Sequence, residues 1–410
     1  MPRIVDRCQS CGSDNLKPVF FAGYLPPVND MPLIGTPLRE QPSYPAQLLQ
    51  CRVCTLVQLG LEVEPEILFP TSYPYRTGTT KLLRDNFKDL CQETLLLFPS
   101  KWDGLVVDIG SNDGTLLANF HEAGCRVLGI EPTDAAKDAE VKGIRTWQRF
   151  FDYEVARQAV SISGEAVVVT ACNVFAHMPD VNEKVDAVLT LLAPGGVFVS
   201  ESHYLPSLLG GLQYDTIYHE HLRYYSLTSL KALFGRHGLE IVHVKQIPTH
   251  GGSIRVYAQR RGELSDGFPL KTVDRMLEEE GKNGLDWSRF RNRAAGSKLK
   301  LMELIGNFSH DERVFGIGCP SRATTLIHFT GLDLGILDCV VEVPGSPKIG
   351  RYVPGTLIPV VDEEALYREQ PEYALLLSWH LADELAPKIR QKGYKGKFIV
   401  PLPTPRILEV

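Results

Sequence analysis

The chain has 410 residues, 44% of them hydrophobic and 22% charged, and a formal net charge of −6. That length asks for two or three cores, since single cores seldom grow past about 250 residues. Mild acidity without any lysine/arginine block excludes electrostatic recognition of nucleic acid or an anionic membrane surface, and no apolar run approaches the ~20 residues of a membrane span.

Residues 1–75 are rich in proline and poor in helical periodicity, which predicts a small, loop-rich module. They carry Cys8-Gln-Ser-Cys11 and Cys51-Arg-Val-Cys54, two Cys-x-x-Cys pairs with 39 residues between them. Four thiolates suit tetrahedral zinc with no open position, hence a structural site; two redox pairs or one iron–sulfur centre are the rivals. The other five cysteines (Cys91, Cys125, Cys172, Cys319, Cys339) stand alone in apolar surroundings and are expected in the core. The start Met-Pro-Arg-Ile-Val is no export signal, so a cytoplasmic protein without disulfides is expected.

Residues 76–262 alternate apolar strand-like runs with helical periodicity. Strands are predicted over 105–109, 127–131, 144–147, 166–170 and 197–201, with helices over 115–122, 135–142, 153–161 and 181–192; Pro194-Gly-Gly is expected to end the last helix. After an insertion come a helix over 227–236 and an antiparallel strand pair over 239–245 and 253–260. The pattern is that of an α/β, doubly wound parallel sheet with one reversed strand.

The turn Asp108-Ile-Gly110-Ser-Asn112-Asp-Gly114 sits between the first strand and the first helix, where such sheets bind ligands. Gly110 permits the tight turn and Gly114 is expected to let the backbone approach the ligand. Glu131 ends the second strand, 21 residues past Gly110, placed to accept from ribose hydroxyls. A dinucleotide would set its pyrophosphate against Asp108 and Asp113, whereas S-adenosylmethionine brings an ammonium and a sulfonium that those carboxylates attract. The Gly-x-x-x-Gly spacing also departs from Gly-x-Gly-x-x-Gly. Radical use of the cofactor lacks its Cys-x-x-x-Cys-x-x-Cys run, so the methyl moves as an electrophile.

The fourth strand leads into Cys172-Asn173-Val-Phe-Ala-His177, with Asn173 expected to face the cofactor and His177 the acceptor, although a core histidine is the alternative. The insertion holds Tyr218-His-Glu220-His221, followed by Arg223-Tyr-Tyr. So many proton-transfer groups in four residues suit acid/base work; a metal site through His219 and His221, or a solvated loop, are the other readings. Tyr73-Pro-Tyr75-Arg either closes the site or links the module to the first helix.

Residues 263–410 open on an acidic-then-basic helical stretch, 273–305, and resume the alternation with strands over 314–317, 338–343, 373–378 and 397–400. Gly316-Ile-Gly318-Cys-Pro-Ser-Arg322 precedes a helix over 323–329, a ready phosphate cradle, or a purely structural turn. Lys348 and Arg351 follow the second strand, where a phosphorylated ligand would meet positive charge. No acidic ribose clamp is legible in this region.

Taken together, these residues resemble the nucleotide-sugar C-methyltransferases of deoxysugar and antibiotic biosynthesis, especially the 3-C-methyltransferases of 4-keto hexoses. The resemblance runs over nearly the whole chain. It rests on the paired Cys-x-x-Cys, Asp108–Gly114, Asn173–His177, Tyr218–His221, His250-Gly-Gly-Ser253 with Arg255, and Gly316–Arg322. It implies a class I methyltransferase sheet flanked by an amino-terminal zinc module and a carboxy-terminal Rossmann-like α/β domain. It further implies His221 as the base at sugar C3, Tyr218 and Glu220 supporting it, and His177 and Tyr75 lining the sugar pocket. His250, Ser253, Arg255, Gly318, Arg322, Lys348 and Arg351 would contact the sugar nucleotide, with thymidine diphosphate favoured. A monomer holding S-adenosylmethionine and structural zinc is expected. Transfer to oxygen or nitrogen of a sugar or small metabolite, and a non-catalytic zinc/nucleotide-binding protein, are the alternatives.

Overall fold

The computed structural model describes residues 2–37, 39–69, 76–99, 103–263, 271–309 and 311–408. Among them the middle sheet has seven strands, spatially Leu239–Ile247, Ser253–Arg260, Leu192–His203, Ala166–Cys172, Leu105–Ile109, Arg126–Ile130 and Thr146–Trp147. Numbered in chain order, that is 3-2-1-4-5-7-6 read from the Thr146–Trp147 edge, the class I methyltransferase arrangement. Ser253–Arg260 is antiparallel to both neighbours, as the paired-strand pattern predicts. Leu105–Ile109 lies at the switch point and is buried at every residue, so both faces must be covered by helices.

Local chemistry explains the helix limits. Leu227–Arg236 starts on a Ser226 capping box closed by Ser229, and Asp152 accepts the Val155 amide to start Tyr153–Ser163. The Pro194-Gly-Gly segment differs from expectation. The fifth strand already begins at Leu192 and runs through these residues, with a register shift between Leu192 and Val197. Gly195 supplies the positive φ of 66°, and Arg260 donates to the Leu189, Leu192 and Ala193 carbonyls, so a bulge replaces the break.

The proline-rich start is not loop-rich. Leu16–Leu25 and Tyr44–Cys51 are long antiparallel strands of a four-stranded sheet. Pro18 sits on the edge strand and Pro45 at the second residue of its neighbour, positions that tolerate a missing N–H. The fourth strand of this sheet, Arg223–Tyr224, comes from the insertion after the fifth strand of the middle sheet. The zinc module and the insertion therefore share one sheet.

The carboxy-terminal sheet runs Arg351–Tyr352, Pro359–Asp362, Cys339–Glu342, Val314–Ile317, Tyr373–Leu376, Lys397–Val400, Arg406–Leu408, parallel except at its two edges. Val314–Ile317 again occupies the switch point. The connector forms two helices, Lys271–Asn283 and Trp287–Gly306. Its Glu280 accepts from the Leu227 and Thr228 amides and the Tyr204 hydroxyl, docking it on the middle sheet's last helix. Phe20, Tyr214, Tyr218, Trp287, Leu326 and Val340 belong to one core that joins the amino-terminal sheet, the insertion and the carboxy-terminal sheet. No helix among the described residues is long and apolar enough to cross a membrane.

Candidate active site

The four paired cysteines converge, their sulfurs all within 4.8 Å of one another. Cys8 and Cys54 Sγ lie 3.4 Å apart, Cys11 and Cys51 3.6 Å, and the Cys11 and Val53 amides point at the sulfurs of Cys8 and Cys51. Four soft donors, closely spaced and steered by backbone amides, fit tetrahedral zinc and leave no position for substrate.

At the end of Leu105–Ile109 the backbone turns through three left-handed residues, Gly110, Asn112 and Gly114. A Cβ on Gly110 would lie 2.6 Å from Val174, so the tight turn does require glycine. Gly114 serves a different end from the one expected: its Cβ would meet Ala139 at 3.0 Å and Ile144 at 3.2 Å, so it lets helix and sheet pack closely. Glu131 accepts the Asn112 amide at 3.0 Å and the Thr133 amide at 2.9 Å, which locks it to the turn.

The two aspartates divide. Asp113 accepts from Thr77 Oγ1 and the Gly78 amide and pairs with Lys142 at 3.1 Å, while Asn112 Oδ1 accepts the Thr77 amide. Both side chains thus fasten residues 77–78 over the turn, and Asp113 is not an uncompensated charge. Asp108 is buried, accepts from Thr170 Oγ1 at 2.6 Å, and is pushed up to about 7 by burial first, then by the charges of Glu131 and Glu201. A cation bound here would favour its ionised form. The Ser111 hydroxyl is also buried, without a hydrogen-bond partner among the described residues. An acid in want of positive charge, an unused hydroxyl and a fixed glutamate fit S-adenosylmethionine.

The strand Ala166–Cys172 ends at Asn173, left-handed at φ 56°, whose amide donates to the Glu201 carbonyl. His177 follows, and its ring centre lies 4.8 Å from that of His221, which in turn lies 4.2 Å from Tyr218. The three rings thus lie together, a grouping that the family resemblance implies and no local spacing predicts. His221 Nδ1 lies 2.7 Å from the Thr216 carbonyl; the bond requires the proton on Nδ1 and leaves Nε2 as the basic lone pair. Burial, then His177, holds His221 well below the ordinary imidazole value, and burial pushes His177 down to about 4. Burial likewise drives Tyr218 well above the phenol range, so it stays a neutral O–H donor.

The rest of the loop is anchored to the zinc module. Glu220 accepts from Asn29 Nδ2 at 2.7 Å. His219 packs on Tyr44 with Nε2 3.4 Å from the Pro45 carbonyl, away from His221; that geometry does not bring the two into a common metal site. Arg223 is 2% exposed and donates to Gln9 Oε1 within the first zinc pair, to Tyr225 and to the Met178 carbonyl. Tyr73 and Tyr75 lie outside the described residues.

The residues expected to contact the sugar nucleotide divide among different partners. His250, left-handed at φ 55°, is pushed down to about 4 by burial and by Arg322. Ser253 spends its hydroxyl on the Thr249 carbonyl. Arg255 does not offer itself to a sugar: it faces Glu201 across the strand pair, and Glu201, Asp89, Glu93 and Asn86 engage all five N–H donors of its fully buried guanidinium. Gly318, at φ 76°, closes the turn through its amide to the Val341 carbonyl. Lys348 reaches that turn through the Cys319 carbonyl at 2.6 Å. Arg351 turns instead toward the Met31 and Pro347 carbonyls.

Sequence reasoning missed a polar group between these elements. Asp215 receives Arg322 in a two-pronged pair at 2.7 and 2.8 Å and Trp379 Nε1 at 2.7 Å. Gln213 joins His203 at 3.2 Å, and His380 lies 3.1 Å from Arg322. No motif spacing links Asp215 to an arginine 107 residues away. Also missed was Glu342, which ends its strand and accepts the Cys319 amide at 2.7 Å, the very relation of Glu131 to Asn112.

Comparison with known proteins accords with this layout. A C-methyltransferase carboxy-terminal domain model matches residues 248–403, a methyltransferase domain 82–244 and a zinc binding domain 8–69. C-methyltransferase NovU of Streptomyces niveus is 34% identical over 99% of this chain and 97% of its own. A ubiquinone biosynthesis O-methyltransferase of Cupriavidus pinatubonensis is 35% identical over 23% of this chain and 40% of its own. The crystal structure of magnesium protoporphyrin IX methyltransferase from Synechocystis PCC 6803 with bound SAM covers 43% of this chain and 79% of its own, at 15% identity and a TM-score of 0.33.

Proposed function

We propose, from the premise that this chain belongs to the C-methyltransferase family, that its substrate is a nucleotide-linked 4-keto deoxyhexose methylated at C3, with thymidine diphosphate as the favoured nucleotide. The observation that carries this reading is His221, an imidazole with Nδ1 committed to the Thr216 carbonyl and its ring beside Tyr218 and His177. Carbon is no nucleophile until a neighbouring carbonyl acidifies its C–H bond. A 4-keto group does so at C3, and His221 Nε2 takes that proton. The charge then moves to the keto oxygen, where a neutral phenol such as Tyr218 donates; well-placed donors there contribute about 3–4 kcal/mol each. S-adenosylmethionine, when bound, supplies the electrophilic methyl.

In this reading residues 1–75 are the zinc module, 76–262 bind the cofactor and 263–410 bind the sugar nucleotide. Asp108, Gly110, Glu131 and Asn173 serve the cofactor. His177, Tyr218 and Glu220 shape the sugar pocket, and Lys348 and the Gly318 turn meet the phosphates.

Incubating a panel of nucleotide 4-keto sugars in heavy water tests the reading. Deuterium is expected at C3 only with enzyme, and His221→Ala should lose exchange and methylation by roughly 10²–10⁴-fold while still binding S-adenosylmethionine. Normal turnover in that variant removes His221 as the base.

A further inference from the structure

The His221 ring bonds the Thr216 carbonyl, and the turn that carries this carbonyl is gripped from the carboxy-terminal domain. Thr216 accepts His221 Nδ1 at 2.7 Å and the Tyr224 hydroxyl at 3.4 Å. It ends the short 3-10 turn Tyr214–Thr216, between two points of attachment to the helix Ser321–Thr330. On one side Asp215, 0% exposed, receives Arg322 Nε and Nη2; on the other the Ile217 carbonyl accepts Thr325 Oγ1 at 3.1 Å. Trp379 Nε1 adds a third donor to the same carboxylate, and its ring lies 5.1 Å from the Arg322 guanidinium.

Burying a carboxylate completely is costly unless it is paired with good geometry, and such arrangements fix a unique register. A solvent-exposed turn would present its carbonyl in several orientations, and an imidazole with a wandering partner divides between two tautomers. Arg322, read from the sequence as part of a phosphate cradle, gives two of its nitrogens to Asp215, with Nη1 beside His380.

We propose that Asp215, gripped by Arg322 and Trp379, is the positioning residue of the base: it fixes the Thr216 carbonyl and thereby the tautomer of His221. This rests on the reading of His221 as the base. The middle domain's proton-transfer group is then set by the carboxy-terminal sheet, so the two must be docked for the base to be competent.

Nitrogen-15 NMR of histidine-labelled full-length protein with S-adenosylhomocysteine bound reads the tautomer directly, the His221 signals being identified by their loss in His221→Gln. Wild type is expected to carry its proton on Nδ1 alone. Asp215→Asn and Arg322→Met should each move part of the population to the Nε2–H form. With a nucleotide 4-keto sugar that wild type methylates, kcat should fall by at least about tenfold and KM for S-adenosylmethionine stay unchanged. Arg322→Lys, lacking the planar fork, should restore little. An unchanged tautomer in folded Asp215→Asn overturns the proposal whatever the rate does. Should that variant not fold by circular dichroism, Trp379→Phe and Thr325→Val weaken the same grip without stranding a buried charge, and an unchanged tautomer in both overturns it equally. Full turnover in His221→Gln instead overturns the base reading beneath it.

Discussion

In the middle sheet the first strand runs into Asp108-Ile109-Gly110; in the carboxy-terminal sheet the corresponding residues are Gly316-Ile317-Gly318. Both glycines take positive φ, and their amides bond the carbonyl near the end of the second strand, Ile130 in one sheet and Val341 in the other. In both, a glutamate at that strand end, Glu131 or Glu342, accepts an amide of the turn. The scaffold is the same and the charged side chains around it differ. Asp108 and Glu131 border the first turn, whereas Lys348, Glu342 and the Arg322–Asp215 pair border the second, and a Cβ at Gly316 would already meet Val340 at 2.9 Å. One backbone device thus carries two different patterns of charged side chains, and the side chains around it set the local field.

Removing the third element tests whether the two turns stand independently. Zinc-finger peptides gain roughly 10–16 kcal/mol from their metal, so chelation or Cys54→Ser should melt the amino-terminal sheet. Methyl transfer should go with it, because Arg223–Tyr224 pairs with Val57–Leu59 and carries the base loop. S-adenosylmethionine binding on the middle sheet is expected to survive. Zinc-to-protein ratio, far-ultraviolet circular dichroism and calorimetric titration together check this, and loss of cofactor binding would show that the sheets do not act separately.

A smaller effect separates the two glutamates. A hydrogen bond to a charged group is worth about 1.5–3 kcal/mol, so Glu131→Gln should weaken S-adenosylmethionine binding by roughly 10–100-fold. Glu342→Gln should leave that affinity within about twofold and raise KM for the sugar nucleotide instead. Equal loss of cofactor affinity in both variants would break the comparison.

The smallest effect is the pH dependence of Asp108. Burial raises it to about 7 from the ordinary carboxylate value, so between those values the folded protein holds a proton that the unfolded chain releases. Its contribution to stability therefore falls as pH rises through that window. A bound cation prefers the ionised form, so cofactor affinity should tighten from pH 6 to pH 8, with proton release seen in buffers of different ionisation enthalpy. Asp108→Asn should flatten the profile; a flat wild-type profile would place the cofactor's charge elsewhere.

Much of this was legible along the chain. Strand and helix limits in the middle sheet follow from period and caps, which act within a few residues; Thr115–Glu122, Leu227–Arg236 and Ser253–Arg260 lie where the pattern puts them. The zinc ligands declare themselves by repeated spacing, and the chemistry of thiolates leaves little else to choose. The strands at Leu16–Leu25 and Pro359–Asp362 were hidden because proline reads as loop unless one knows that its missing N–H faces no ladder partner.

The sequence by itself determined the cofactor turn, the four paired cysteines and the residue types available for proton transfer, since each depends on chemistry held in a few adjacent positions. The tertiary structure alone decided which partners the members of those motifs meet. It committed Asp113 and Asn112 to the covering segment and Arg255 to Glu201, and it separated His219 from His221. It brought Arg322 to Asp215 across 107 residues of chain. A charged side chain goes to the partner that best repays its loss of water, and that partner is chosen by the packing of sheets, which no local spacing records.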